Sequence, residues 1–166
     1  LIAEAGVRWA EIGEERCSIA RALAVIGDRW TLLVLRDAFL GVRRFDDFHR
    51  RLGISRTLLN ARLAGLVAAG VLRRERYRQR PPRDEYRLTP RGLALHPVML
   101  AVAHWGDVEF GGAEGPPVLR RHKGCGHDFA PVVTCSECGE PVEPRAVEAH
   151  VGPGGNPALD PVRRAL

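Results

Sequence analysis

Between Cys17 and Gly70 the apolar residues fall into four short blocks, each closed by a glycine: Gly27, Gly41, Gly53 and Gly70. The spacing inside the blocks is helical, so this stretch must be built from several short helices. Ile19, Leu23 and Ile26 repeat at four and three and form one stripe, ended by Gly27-Asp28. Trp30 to Leu40 makes the next helix. Phe45, Phe48 and Leu52 line one face of a third. Ser55 is a good N-cap for a fourth. There Leu59, Leu63, Leu66 and Val67 share a face, and Thr57 and Ala61 lie on the other.

After Gly70 the pattern changes. Val71–Tyr77 and Glu85–Leu88 look like two short strands around Arg78–Asp84, where Pro81-Pro82 makes a stiff turn. Thr89 then caps a helix with Pro90 at its first position. That helix runs through Leu95, Val98, Met99, Val102 and Trp105, and Pro97 is expected to kink or break it. Gly111–Pro117 is a linker by its Gly and Pro content. The expected organisation is an acidic lead-in over 1–16, weakly amphipathic through Ile2, Trp9 and Ile12. A main domain follows over 17–110, then the linker over 111–117. A segment with Cys and His covers 118–150, and a mobile tail 151–166.

Of the 25 basic residues all but Lys123 are arginine, and the formal net charge is +5. Residues 71–91 hold eight arginines (73, 74, 76, 78, 80, 83, 87 and 91) and three acids, a surplus equal to that of the whole chain. A localised basic segment is the electrostatic footprint of a nucleic-acid binder. Helix, short glycine turn, capped helix and Arg-rich hairpin, in that order, describe a winged helix-turn-helix: mainly α with a small β-hairpin wing. The fourth helix would enter the major groove of double-stranded DNA. Its outer N-terminal face offers Ser55, Arg56, Thr57 and Asn60; Arg56 suits guanine or phosphate, and Asn60 suits adenine. The hairpin tip would place Arg80 and Arg83 beside the minor groove. Arg73, Arg74 and Arg76 read as phosphate or solvent contacts.

Several motifs carry a resemblance. Cys17–Leu33 resembles the opening of the HxlR-type family of bacterial winged-helix regulators. So do Arg44-Phe45, Gly53-Ile54-Ser55, Asn60-Ala61-Arg62-Leu63, Pro81-Pro82-Arg83, Glu85-Tyr86 and Leu88-Thr89-Pro90-Arg91-Gly92. The likeness covers residues 17–110. It implies a MarR-like transcription regulator, a repressor, acting as a homodimer through its first helix and the helix after the wing. The interface would use Leu23, Leu95, Val98, Met99, Val102 and Trp105. Cys17 sits where this family often carries a sensing cysteine, which implies an oxidant or small-molecule effector. Ser18 follows it where Pro is frequent. Arg16 and Arg21 nearby favour the thiolate, the reactive form; the other reading is a buried structural cysteine.

The remaining cysteines follow the linker. His122-Lys123-Gly124-Cys125-Gly126 and Cys135-Ser136-Glu137-Cys138-Gly139 look like one knuckle written twice, 13 residues apart. His122, Cys125, Cys135 and Cys138 make four N/S ligands for one structural zinc per chain in a zinc-ribbon-like β module. His127 competes for the fourth position, and His150 is more remote. Pro131–Thr134 and Pro141–Pro144 look like short strands beside the second knuckle. A redox C-x-x-C is the rival reading, and it needs a βαβ surround.

No phosphate loop, carboxylate pair or nucleophile elbow is present, so no enzyme is expected. No run approaches the ~18 apolar residues of a membrane span. Leu1–Glu15 holds four glutamates and no basic n-region, so it does not read as a secretory signal, and the cytoplasm is the expected setting. The alternative function is a zinc-dependent protein-interaction module whose winged helix does not bind DNA.

Overall fold

Glycine and side-chain caps set the helix ends. The computed structural model describes residues 9–14 and 16–155; the expectations placed on Ile2 and on the tail from Asn156 lie outside them. A 3-10 turn over Trp9–Glu14 precedes α1 (Ser18–Ile26), α2 (Arg29–Phe39), α3 (Phe45–Leu52) and α4 (Arg56–Ala68). The strands β1 (Leu72–Arg78) and β2 (Arg83–Leu88) follow, then α5 (Pro90–Leu93) and α6 (His96–Phe110). The residues divide into two compact units that meet in the chain between Met99 and Leu100.

In the first unit, Asp28 caps α2: its Oδ1 accepts from the N–H groups of Trp30 (2.9 Å) and Thr31 (3.2 Å). Gly53 ends α3 at φ 66°, a left-handed conformation that costs glycine least. Ser55 caps α4 by accepting from the Leu58 N–H at 3.2 Å. The apolar stripes meet in one core. Val34 and Leu35 of α2, Phe48 of α3, Leu59, Leu63 and Leu66 of α4, and Leu72 of β1 are fully buried. One carboxylate lies among them. Asp37 is buried in α2 and accepts from Arg36 Nε at 3.0 Å and from Arg51 Nη2 at 3.3 Å. Arg51 Nε also stands 3.2 Å from Oδ2, an ion pair without hydrogen-bond alignment. This ties α3 to α2.

The strands form an antiparallel hairpin in which Leu72 faces Leu88 and Arg74 faces Tyr86. Arg44 adds a single bridge to Glu85 on the outer side of β2, and the Tyr86 N–H donates to the Arg43 carbonyl at 2.8 Å. The hairpin is longer than expected. Arg83 and Asp84, placed by sequence in the turn, belong to β2 because Asp84 bonds to Arg76 and pairs with Arg74 across the strands. The helix after the wing is broken: α5 ends at Leu93, and α6 begins at His96 with Pro97 in its first turn. Gly92 is buried in α5 against Val71, the residue before β1, and a Cβ there would stand 2.2 Å from the Val71 carbonyl oxygen.

In the second unit two loops, 121–128 and 134–141, repeat one backbone hairpin. The expected strands beside the second knuckle are not formed. Single bridges, Arg121 to Asp128 and Thr134 to Pro141, stand in their place, and Pro144–Ala146 is a 3-10 turn. Pro131, Pro141 and Pro144 have no N–H to extend a ladder.

Candidate nucleic-acid interface and cysteine knuckles

The N-terminal end of α4 and the hairpin form the walls of one open cleft of about 780 Å³. Arg56, Thr57 and Asn60 line it from α4, and Pro82 and Arg83 from the hairpin. Ser55 and Arg80 are exposed but are not among its walls. Sequence reasoning missed the floor. Arg44, Phe45, Asp46, Asp47 and Arg50 contribute from α3 and the segment before it; Arg74, Tyr77 and Tyr86 contribute from the strands. Five arginines therefore face one cleft with three aromatic rings. Arg56 lays its guanidinium over the Phe45 ring at 4.7 Å, and Arg44 lies over Tyr77 at 4.7 Å. Arg44-Phe45 was visible as a motif, but nothing in its spacing announced that it lines the cleft.

The pose of α4 is held from behind. Arg62, on the flank opposite the cleft, makes a two-point contact with Asp28: Nε lies 2.9 Å from Oδ1, and Nη2 donates to Oδ2 at 3.0 Å. One carboxylate thus caps α2 and grips α4. The hairpin is held by charge as well. The Arg76 hydrogen bond, then Arg74, pulls the Asp84 carboxyl below its ordinary range; Arg73, with Arg87 and Arg43 beyond it, does the same to Glu75. Arg73, Arg74 and Arg76 are thus engaged with carboxylates of their own hairpin.

Leu95 and Met99, expected at a subunit interface, pack against the core of their own chain. Leu23, Val98, Val102 and Trp105 are exposed, as are Ile19, Val108 and Phe110. α6 buries none of its residues. Cys17 is exposed at the N-cap of α1, and its carbonyl accepts from the Arg21 N–H at 3.0 Å.

The knuckles match bond for bond. The His122 N–H donates to the His127 carbonyl at 2.9 Å, and the Gly126 N–H to the His122 carbonyl at 2.8 Å. Thirteen residues on, Cys135 donates to Glu140 and Gly139 to Cys135, both at 2.9 Å. Gly126 and Gly139 take φ of 75° and 77°, the left-handed turn that both copies need. His122 Nδ1 lies 3.3 Å from Cys125 Sγ. The Cys138 and Glu137 backbone N–H groups, with the Cys138 side chain, lower the pKa of the Cys135 thiol. His127 falls at the place of Glu140, beyond the turn, so the repeat aligns His122 rather than His127 with Cys135. Each half fits a metal in donor chemistry and turn. The halves are not gathered: among the described residues no three His, Cys, Asp or Glu side chains come together as a metal would require. No described helix is long and apolar enough to cross a membrane.

A family model described as HxlR-like helix-turn-helix matches residues 25–112. An HTH-type transcriptional regulator of Mycobacterium tuberculosis is 45% identical over 137 residues, covering 82% of this chain and 87% of its own. The crystal structure of PA1607, a candidate transcription factor, is 33% identical with a TM-score of 0.74; the match covers 82% of this chain and 96% of that one. The redox regulator HypR in its oxidised form is 35% identical with a TM-score of 0.53, covering 56% and 97%.

Proposed function

The chain belongs to the HxlR-like helix-turn-helix family of transcriptional regulators, and from that premise we propose that it reads double-stranded DNA as a homodimer, with α4 in the major groove and the hairpin tip beside the minor groove. The observation that supports this reading is the cleft, where Arg56 and Asn60 of α4 and Arg83 of the wing face one open space. Asn60 reads base edges, Arg56 takes a guanine edge or a phosphate, and Ser55, Thr57, Arg80 and Arg83 meet sugar and phosphate. A dimer seated over a promoter blocks polymerase, so repression is the output, and the cytoplasm is the setting. Binding measured over a salt series tests it. Arg56→Ala or Asn60→Ala should cost ~1–3 kcal/mol and relax preference at one base position, whereas Arg83→Ala should weaken all sequences and reduce the salt slope by about one. Equal affinity of the wild type and the triple variant at matched salt would refute it and favour the protein-interaction alternative.

The exposed apolar face of α6 supports the dimer, with Leu23, Val98, Val102 and Trp105 as its contacts. Light scattering tests it: a monomer at micromolar concentration is the contrary result. Cys17 is the oxidant sensor of this reading, because its thiol is exposed at the start of a helix assigned to that interface. Peroxide should release DNA from the wild type and not from Cys17→Ser.

The duplicated knuckles support one structural zinc per chain, held by His122, Cys125, Cys135 and Cys138 in a zinc-ribbon-like module over 118–150. The metal would draw two formed half-sites together, and the favoured Cys135 thiolate suits a zinc ligand. Metal analysis of protein purified without chelator tests it. Under about a third of an equivalent, with a reversible Cys135–Cys138 disulfide, would revive the redox reading.

A further inference from the structure

The two arginines assigned to DNA on opposite walls of the cleft share one carboxylate. Arg56 Nη1 donates to Asp46 Oδ1 at 3.1 Å, and Arg83 Nη1 stands 3.9 Å from Oδ2. All three side chains are open to water: Asp46 is 57% exposed, Arg56 64% and Arg83 51%. Exposed pairs of this kind contribute little to folding. A phosphate is the other anion that could take both guanidinium groups, and it would approach from the same open side.

We propose that Asp46 is an internal competitor for DNA phosphate, which holds Arg56 and Arg83 in the free protein and lowers affinity for DNA of any sequence. The proposal rests on the DNA-interface reading above. Binding requires Arg56 and Arg83 to leave the carboxylate, and the carboxylate itself then faces the phosphate backbone. Both effects apply to every sequence. They keep weak, non-specific complexes short-lived, while a site whose bases also satisfy Asn60 retains enough affinity to be occupied. Asp47 is the internal control. It lies in the same first turn of α3 and carries the same charge, but it pairs with Arg50 at 2.9 Å and touches neither Arg56 nor Arg83.

The test measures binding of a short fluorescent duplex of random sequence to the full chain over a salt series. Asp46→Asn should tighten binding about three- to tenfold at ~0.1 M salt, with a gain that shrinks as salt rises. The salt slope should steepen by up to about one unit. Asp47→Asn should give a clearly smaller gain. In an Arg56→Ala/Arg83→Ala background, at least half of the Asp46→Asn gain, in log units, should vanish, because only direct repulsion is left. Unchanged or weaker binding by Asp46→Asn, while Arg56→Ala still weakens the wild type, would overturn the proposal and leave the interface reading standing. A wild type that Arg56→Ala and Arg83→Ala leave unaffected would overturn both.

Discussion

Removing the Asp28 carboxylate should loosen two helices at once. Asp28→Ala deletes the N-cap of α2, and loss of such a cap costs ~1 kcal/mol, within a range of about 0.5–2. It also frees Arg62, whose contact with Asp28 is two-pronged but only two-thirds screened from water. An ion pair of that exposure, carried by one hydrogen bond from Nη2 while Nε stands close to Oδ1 without hydrogen-bond alignment, contributes about 0.5–1 kcal/mol. The expected loss is about 1.5–3 kcal/mol, measured by urea unfolding followed by far-ultraviolet circular dichroism. Arg62→Ala should cost only the second part, ~1 kcal/mol. The two losses should not add: with Arg62 already gone, Asp28→Ala should cost only the cap. A coupling energy of ~0.5–1 kcal/mol in the double-variant cycle is the signature. DNA affinity should fall in both single variants, because α4 loses its rear anchor while every cleft residue is intact. Strict additivity, or an Asp28→Ala loss below ~0.5 kcal/mol, would refute the claim that one carboxylate serves both helices.

Gly92→Ala should destabilise by about 1–3 kcal/mol or more, since the new Cβ would meet the Val71 carbonyl at 2.2 Å and that backbone also bonds to Thr89; an unchanged urea midpoint is the contrary result. Asp37→Ala should cost about 2–3 kcal/mol, less than a fully buried pair because Arg36 and Arg51 are each about half exposed, and Asp37→Asn should cost less, as the same urea titrations will show. Glu75 and Asp84 have pKa values lowered on folding, so their contribution to the wing is complete above the ordinary carboxylate range and is lost as pH falls through the lowered values. Amide exchange should therefore show the hairpin loosening on its Glu75 and Asp84 rungs below about pH 4, and protection that stays flat through that range would count against the carboxylate clamp.

Most of the first unit was legible because its signals are local. Gly27, Gly41, Gly53 and Gly70 end helices, Ser55 and Thr89 cap them, and Leu59, Leu63 and Leu66 share a face that is indeed buried. The hairpin length was not legible. Pro81-Pro82 drew the turn outward to Asp84, whereas cross-strand pairing of Asp84 with Arg74 and Arg76 keeps that residue in the ladder. Leu95 and Met99 show a different limit. Apolar periodicity places a residue on a face but does not say whether the chain's own core or another surface covers it, and here the core covers part of each. Asp46 could not be found at all. An acid in the first turn of a helix is what the helix dipole alone would favour, so its contact with Arg56, ten residues away, left no separate trace.

The charge count was the coarsest signal, and the structure divides it. Residues 71–91 carry the whole chain's net charge, but that surplus is not spread evenly along the hairpin. Arg73, Arg74, Arg76 and Arg87 are paired with Glu75, Asp84 and Glu85 along the strands, from the Arg73–Arg87 rung to the Arg76–Asp84 rung. Arg83 reaches back to Asp46. Arg78 donates to the Arg80 carbonyl, and among the described residues no carboxylate stands within ion-pair distance of Arg78 or Arg80. The acids therefore brace the strands, and Arg78 and Arg80 at the turn keep their positive charge. A wing must hold its shape as it leaves the core and stay positive where it meets phosphate; Glu75, Glu85 and Asp84 lie on consecutive rungs below the Arg78–Arg83 pair, so the turn beyond them holds arginine and no acid.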